Sequence, residues 1–210
     1  MRKLTVAIAA IAAFSVAGVV TAAPPSLTLA ASPTTVSYGA TSTLSGTLSS
    51  HKSGQTVTVE GQECGKTAFA KVADVTTGAN GVFSYPAKPT LNTMYRARAK
   101  SATSPTVQVS ARPVLQLRRL AARKFSIAVN AAQSFVGKFV YLQRYRAGTK
   151  KWTNVSRVTL KTLKAGAAPT QISSAAFRVK VAARVKLRAL LPRASAQPCY
   201  LDALSNTIRS

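Results

Sequence analysis

The 210-residue chain carries 29 Lys and Arg against 4 Asp and Glu, a formal charge of +25, with one His and two Cys. Four carboxylates and one imidazole are too few for most hydrolase, transferase or metal sites, which need several such groups converging. A hydrophobic fraction of 47% argues against a disordered basic tail, because disorder accompanies low hydrophobicity.

Met1-Arg2-Lys3 is a short cationic start, and Leu4 to Val20 is apolar apart from Thr5 and Ser15. Val20-Thr21-Ala22 supplies small residues, and Pro24-Pro25 blocks continuation of a helix. The three parts together predict a secretory signal peptide over residues 1–22, cut after Ala22. Its apolar run is 17 residues long, short of the roughly 20 that span a bilayer. No membrane span is expected after cleavage, and the remaining chain is expected outside the cytoplasm, at the cell surface or in the medium.

The rest of the chain reads as short strands. Thr56-Val57-Thr58-Val59-Glu60 alternates polar and apolar residues, as a half-buried strand does. So do Phe125 to Val129, Phe177 to Val181 and Val185 to Ala189. Gly78-Ala79-Asn80-Gly81 predicts a hairpin turn, since Asn and Gly tolerate positive φ. No stretch beyond the apolar leader has sustained helical periodicity. Pro113 divides two such runs of strands, which predicts an all-β protein of two tandem Ig-like or fibronectin-III-like β-sandwiches, residues 23–112 and 113–210. The halves read as divergent copies: Gly54-Gln55-Thr56-Val57-Thr58-Val59 aligns with Gly137-Lys138-Phe139-Val140-Tyr141-Leu142, and Tyr95-Arg96-Ala97-Arg98 with Val185-Lys186-Leu187-Arg188.

Val36-Ser37-Tyr38-Gly39 with Leu44-Ser45-Gly46-Thr47-Leu48, Gly78 to Ser84, Pro89 to Ala97 and Gly137 to Arg144 carry a resemblance to secreted bacterial Ig-like proteins of actinobacteria-like lineages. These are strand and turn motifs. The resemblance implies a fold and a role as a cell-surface or secreted module, and it implies no catalytic motif.

The chain's own candidates for chemistry are sparse. His51 lies in a predicted turn with no carboxylate and nucleophile to complete a site. Glu60 and Glu63 fall on opposite faces of a regular strand, which does not make a paired-carboxylate site. Asp202 is the single acid after Pro113. No cofactor, metal site, small-molecule substrate or enzymatic activity is expected, and an unrecognised hydrolase is the remaining enzyme reading. Cys64 and Cys199 are the two cysteines of a chain expected to be exported, where pairing is the default. Cys64 follows the third strand of the first sandwich and Cys199 lies between the last two strands of the second, so both poles face the junction of end-to-end modules. An inter-domain disulfide is one outcome; two free thiols or an intermolecular pair are the others.

The charge is unevenly placed. Residues 23–112 hold 8 Lys and Arg and 3 acids, residues 113–210 hold 19 and one. If Val140, Leu142, Val185 and Leu187 face the core, then Phe139, Tyr141 and Tyr145 share an outer face with Arg184, Lys186 and Arg188. Such a face suits a polyanion: an anionic wall polymer, anionic lipid headgroups or extracellular DNA. Strand cations also keep edges from pairing and keep a protein soluble, and that reading stands beside the first. The expected function is an exported structural or adhesive Ig-like module, with a dedicated polyanion binder acting through the second sandwich as the alternative.

Overall fold

The computed structural model describes residues 25–100 and 102–210; the expected signal peptide lies outside the described residues. The fold is a tandem of β-sandwiches. The first sandwich contains β1 (Ala30–Ser32), β2 (Thr35–Ser37), β3 (Ser42–Thr47), β4 (Thr56–Glu63), β5 (Ala70–Thr76), β6 (Val82–Ala87), β7 (Thr93–Ala99), β8 (Ala102–Thr103) and β9 (Val107–Arg112). One sheet runs β1-β3-β6; the other runs β2-β9-β7-β4-β5, with β8 beside β7. All pairings are antiparallel except β2 on β9. Alternation explains the faces: in β4, Val57 and Val59 are fully buried while Thr58 and Glu60 are not. Leu44, Phe83, Tyr95 and Val109 complete that core.

The second sandwich contains β10 (Val114–Ala121), β11 (Lys124–Ala131), β12 (Phe139–Arg146), β13 (Lys151–Thr159), β14 (Thr162–Ala165), β15 (Gln171–Arg178), β16 (Lys186–Leu191), β17 (Ala203–Leu204) and β18 (Ile208–Arg209). Its sheets run β10-β11-β15-β14 and β13-β12-β16-β17, with β18 also on β16. Leu117, Phe125, Ile127, Leu142 and Leu187 form its core, and Phe125 packs on Phe177 with centroids 6.0 Å apart. A four-residue helical turn, α1 (Arg193–Ala196), lies between β16 and β17.

The turn at Gly78–Gly81 differs from expectation. Asn80 and Gly81 do take positive φ, 57° and 71°. The strands on either side do not pair, however: β5 ends one sheet and β6 belongs to the other. The turn is held by the Leu48 N–H, which donates to the Gly81 carbonyl at 3.0 Å and draws the chain across to β3. A Cβ at Gly81 would lie 2.5 Å from the Leu48 carbonyl oxygen, so this close approach requires glycine. Local dihedrals are the same for a hairpin and for this crossing, which is why the sequence did not distinguish them.

The sandwiches meet through a bonded junction. Cys64, just after β4, is disulfide-bonded to Cys199 of the β16–β17 connection. Asn92 ties three segments: its N–H donates to the Cys199 carbonyl at 2.9 Å, its Nδ2 to the Pro198 carbonyl at 3.2 Å, and its Oδ1 accepts the Ala111 N–H at 2.9 Å. Tyr200 is fully buried. Its hydroxyl donates to the Thr90 carbonyl at 2.6 Å and accepts the Ala132 N–H at 2.8 Å, linking the two sandwiches through one oxygen. Its ring packs on Phe135 with centroids 5.8 Å apart. The Tyr38 and Thr170 hydroxyls, 3.0 Å apart, and the Arg112–Asp202 ion pair add further contacts.

Candidate functional site

The outer face of β13-β12-β16 is built by register. Residues directly opposite one another share a face. Tyr141 stands opposite Arg157 and Leu190, Gln143 opposite Asn154 and Arg188, and Tyr145 opposite Trp152. Phe139, Tyr141 and Tyr145 therefore lie on one outer face with Arg188, and Lys186 joins them through its contact with Tyr145.

Cations and rings interleave there. The Arg157 guanidinium carbon lies 3.8 Å from the Phe139 ring centroid, that of Arg188 lies 4.2 Å from Trp152, and Lys186 Nζ lies 5.8 Å from Tyr145. Phe139 and Tyr141 meet edge to face with centroids 5.3 Å apart, and Tyr145 and Trp152 form a tilted pair at 5.3 Å. Each cation–ring contact contributes about 0.5–2 kcal/mol, rising as water is excluded. Gln143 is only 7% exposed and acts as a clamp beneath them. Its Oε1 accepts Arg188 Nε at 2.9 Å and its Nε2 donates to Asn154 Oδ1 at 2.9 Å. Burial lowers the Arg188 pKa from its ordinary value, as expected for a guanidinium partly withdrawn from water.

The rings of Phe139, Tyr145 and Trp152 are thus faced by the chain's own cations, which they hold in place. The face can act chiefly through fixed cations rather than by stacking ligand rings. By register Arg157, Arg188 and Lys186 step along the sheet at successive levels about 7 Å apart, two residues of an extended strand.

Little negative charge opposes them. Among the described residues the ion pairs are Lys71–Asp74, Arg96 and Arg98 with Glu60, and Arg112–Asp202. No Lys or Arg from Val114 onward is in an ion pair among the described residues. The equivalent face of the first sandwich differs: Glu60 accepts Arg96 Nε at 2.6 Å and lies 3.7 Å from Arg98, while Phe69 stacks on Arg96 at 4.1 Å. Its two arginines share one carboxylate. His51 takes φ 52° in an exposed turn, with Nδ1 3.3 Å from the Asn80 carbonyl oxygen. Among the described residues no cluster of His, Cys, Asp and Glu could hold a metal ion, and no helix is long and apolar enough to cross a membrane.

One expected member is missing and others were not foreseen. Arg184 is exposed in the turn before β16, at φ 61°, so the alternation that placed it beside Lys186 stops short of it. Trp152, Arg157 and Asn154 are the unforeseen members, and they complete the face around Gln143, which the alternation did place there. Counting by twos from buried Val158 puts Trp152 on the core side. The structure has a bulge: Leu142 pairs Ser156 while Gln143 pairs Asn154, leaving Val155 as the extra residue. That one-residue insertion turns Trp152 outward.

No protein-family model matches the chain, and no curated protein does. A solved structure with detectable likeness is the tetra-tandem repeat in the extending region of a large adhesion protein. It is 12% identical, with a TM-score of 0.33, over 89% of this chain and 48% of that one. The chain spans about half the length of that neighbour.

Proposed function

We propose that the chain is an exported, non-enzymatic adhesive module of a bacterial cell surface or its surroundings, in which a stiff two-sandwich body presents the basic outer face of β13-β12-β16 to an anionic polymer. The observation that carries this reading is the face itself: three cations held by aromatic rings and a buried glutamine, with no carboxylate to neutralise them. Charge placed only for solubility needs no such ordering. The disulfide supports export, because such bonds persist in oxidising compartments. Binding here is expected to release counterions, so affinity falls steeply with salt.

Titration of the chain lacking residues 1–22 against heparin, DNA and wall polymer at rising salt tests the proposal. Neutralising Arg157, Lys186 and Arg188 should weaken binding and flatten the salt dependence. Affinity unchanged by those substitutions would leave diffuse attraction to a basic protein and remove the site.

A further inference from the structure

In the second sandwich β14 pairs β15 and forms the edge of that sheet. Among the described residues the first sandwich has no strand beyond β6: β6 is the edge of one sheet and β5 the edge of the other. Between these edges lies a cleft of about 580 Å³, within the roughly 300–1,000 Å³ typical of small-molecule sites.

Its floor is made by a missing side chain. Gly61 of β4 is buried on the core face, and a Cβ there would lie 3.0 Å from Val72 Cγ2 and 3.2 Å from Tyr95 Cε1. Val72, the extra residue of the β4–β5 bulge, is 43% exposed although apolar. Tyr85 and Tyr95 supply two aromatic walls from β6 and β7. Burial pushes the Tyr95 phenol up to about 12. Lys66 and Lys88 line the cleft beside Glu63, whose carboxylate already accepts the Thr90 hydroxyl at 3.2 Å.

These features select among occupants. An added strand would need a continuous row of free N–H groups along β6, and Pro86 interrupts it. The volume fits one small molecule. The apolar walls ask for a ring or a short acyl chain; the two ammonium groups outnumber the one carboxylate and ask for an acid. We propose that the cleft of the first sandwich binds a small amphipathic anion, an aromatic or short acyl body carrying one acidic group. This site is separate from the basic face of the second sandwich and does not depend on it.

Anilinonaphthalene sulfonate is a suitable probe, titrated into the chain lacking residues 1–22 while its emission is followed. One saturable site is expected. Val72→Glu, at an exposed position, and the pair Lys66→Glu with Lys88→Glu should each weaken it about tenfold. Gly61→Leu should abolish it by filling the floor, with circular dichroism confirming the fold. Neutralising Arg157 and Arg188 should leave it unchanged. Non-saturating emission, or saturable binding that Val72→Glu does not weaken while Arg157 and Arg188 substitutions do, would overturn the assignment.

Discussion

Tyr200 gives the sharpest test of how the two sandwiches are joined. Its hydroxyl bridges the Thr90 carbonyl of the first sandwich and the Ala132 N–H of the second, at 2.6 and 2.8 Å. Tyr200→Phe keeps the ring against Phe135 but strands both backbone groups at a junction where Tyr200 is fully buried. Each unsatisfied group costs about 1–3 kcal/mol, so a loss of about 2–4 kcal/mol is expected after partial relaxation. Urea unfolding followed by circular dichroism and by emission of Trp152, the only tryptophan, measures it. The midpoint should fall with the slope unchanged. A loss below about 0.5 kcal/mol, the scatter of neutral surface changes, would refute the claim that this oxygen couples the domains.

Unreduced, denatured protein should show no reactive thiol and two after reduction; two before reduction would contradict the Cys64–Cys199 bond. Replacing both cysteines by Ser should destabilise the chain, with on the order of 5 kcal/mol as the ceiling for a loop of 135 residues. Arg188→Gln should shift Trp152 emission, because the guanidinium 4.2 Å from its ring is lost; an unchanged spectrum would place Arg188 elsewhere. Alkaline stability follows from Tyr95 and Tyr200, both pushed from 10.0 up to about 12 by burial. Their contribution is complete below pH 10 and is lost as pH rises towards 12, since the unfolded chain ionises first. Two of the six tyrosines should therefore ionise near pH 12 by phenolate absorbance, and Tyr200→Phe should remove one of them.

The sequence made the strands legible wherever one face is buried and the pleat runs undisturbed, as at Val57 and Val59 or at Ile127 and Val129. Phe139, Tyr141, Tyr145, Lys186 and Arg188 follow from the same alternation. What it concealed depends on interruptions and on distant partners. Val155 bulges and reverses Trp152; Arg184 turns at positive φ before β16 begins; Gly78–Gly81 changes sheets with hairpin-like dihedrals. Asn92 and Tyr200 carry no local signature, because their partners lie about a hundred residues away in the chain. The Cys64–Cys199 bond was one of three outcomes left open by the sequence, because pairing depends on a distance between two segments 135 residues apart. The open side of the first sandwich was invisible, because it depends on β5 and β6 both being sheet edges.

The most direct test of the basic face compares two triple variants of equal charge. Arg157, Lys186 and Arg188 are changed to Gln in one. Arg118, Lys124 and Arg178, exposed on the opposite sheet with no ring contact, are changed to Gln in the other. Binding of single-stranded DNA, used as a phosphodiester probe, is followed by Trp152 emission or anisotropy across a range of salt. With about 0.7 counterions released per phosphate contacted, the first variant should lose about two from the slope of log affinity against log salt. The second should lose little. Equal losses in both variants would contradict a built binding face.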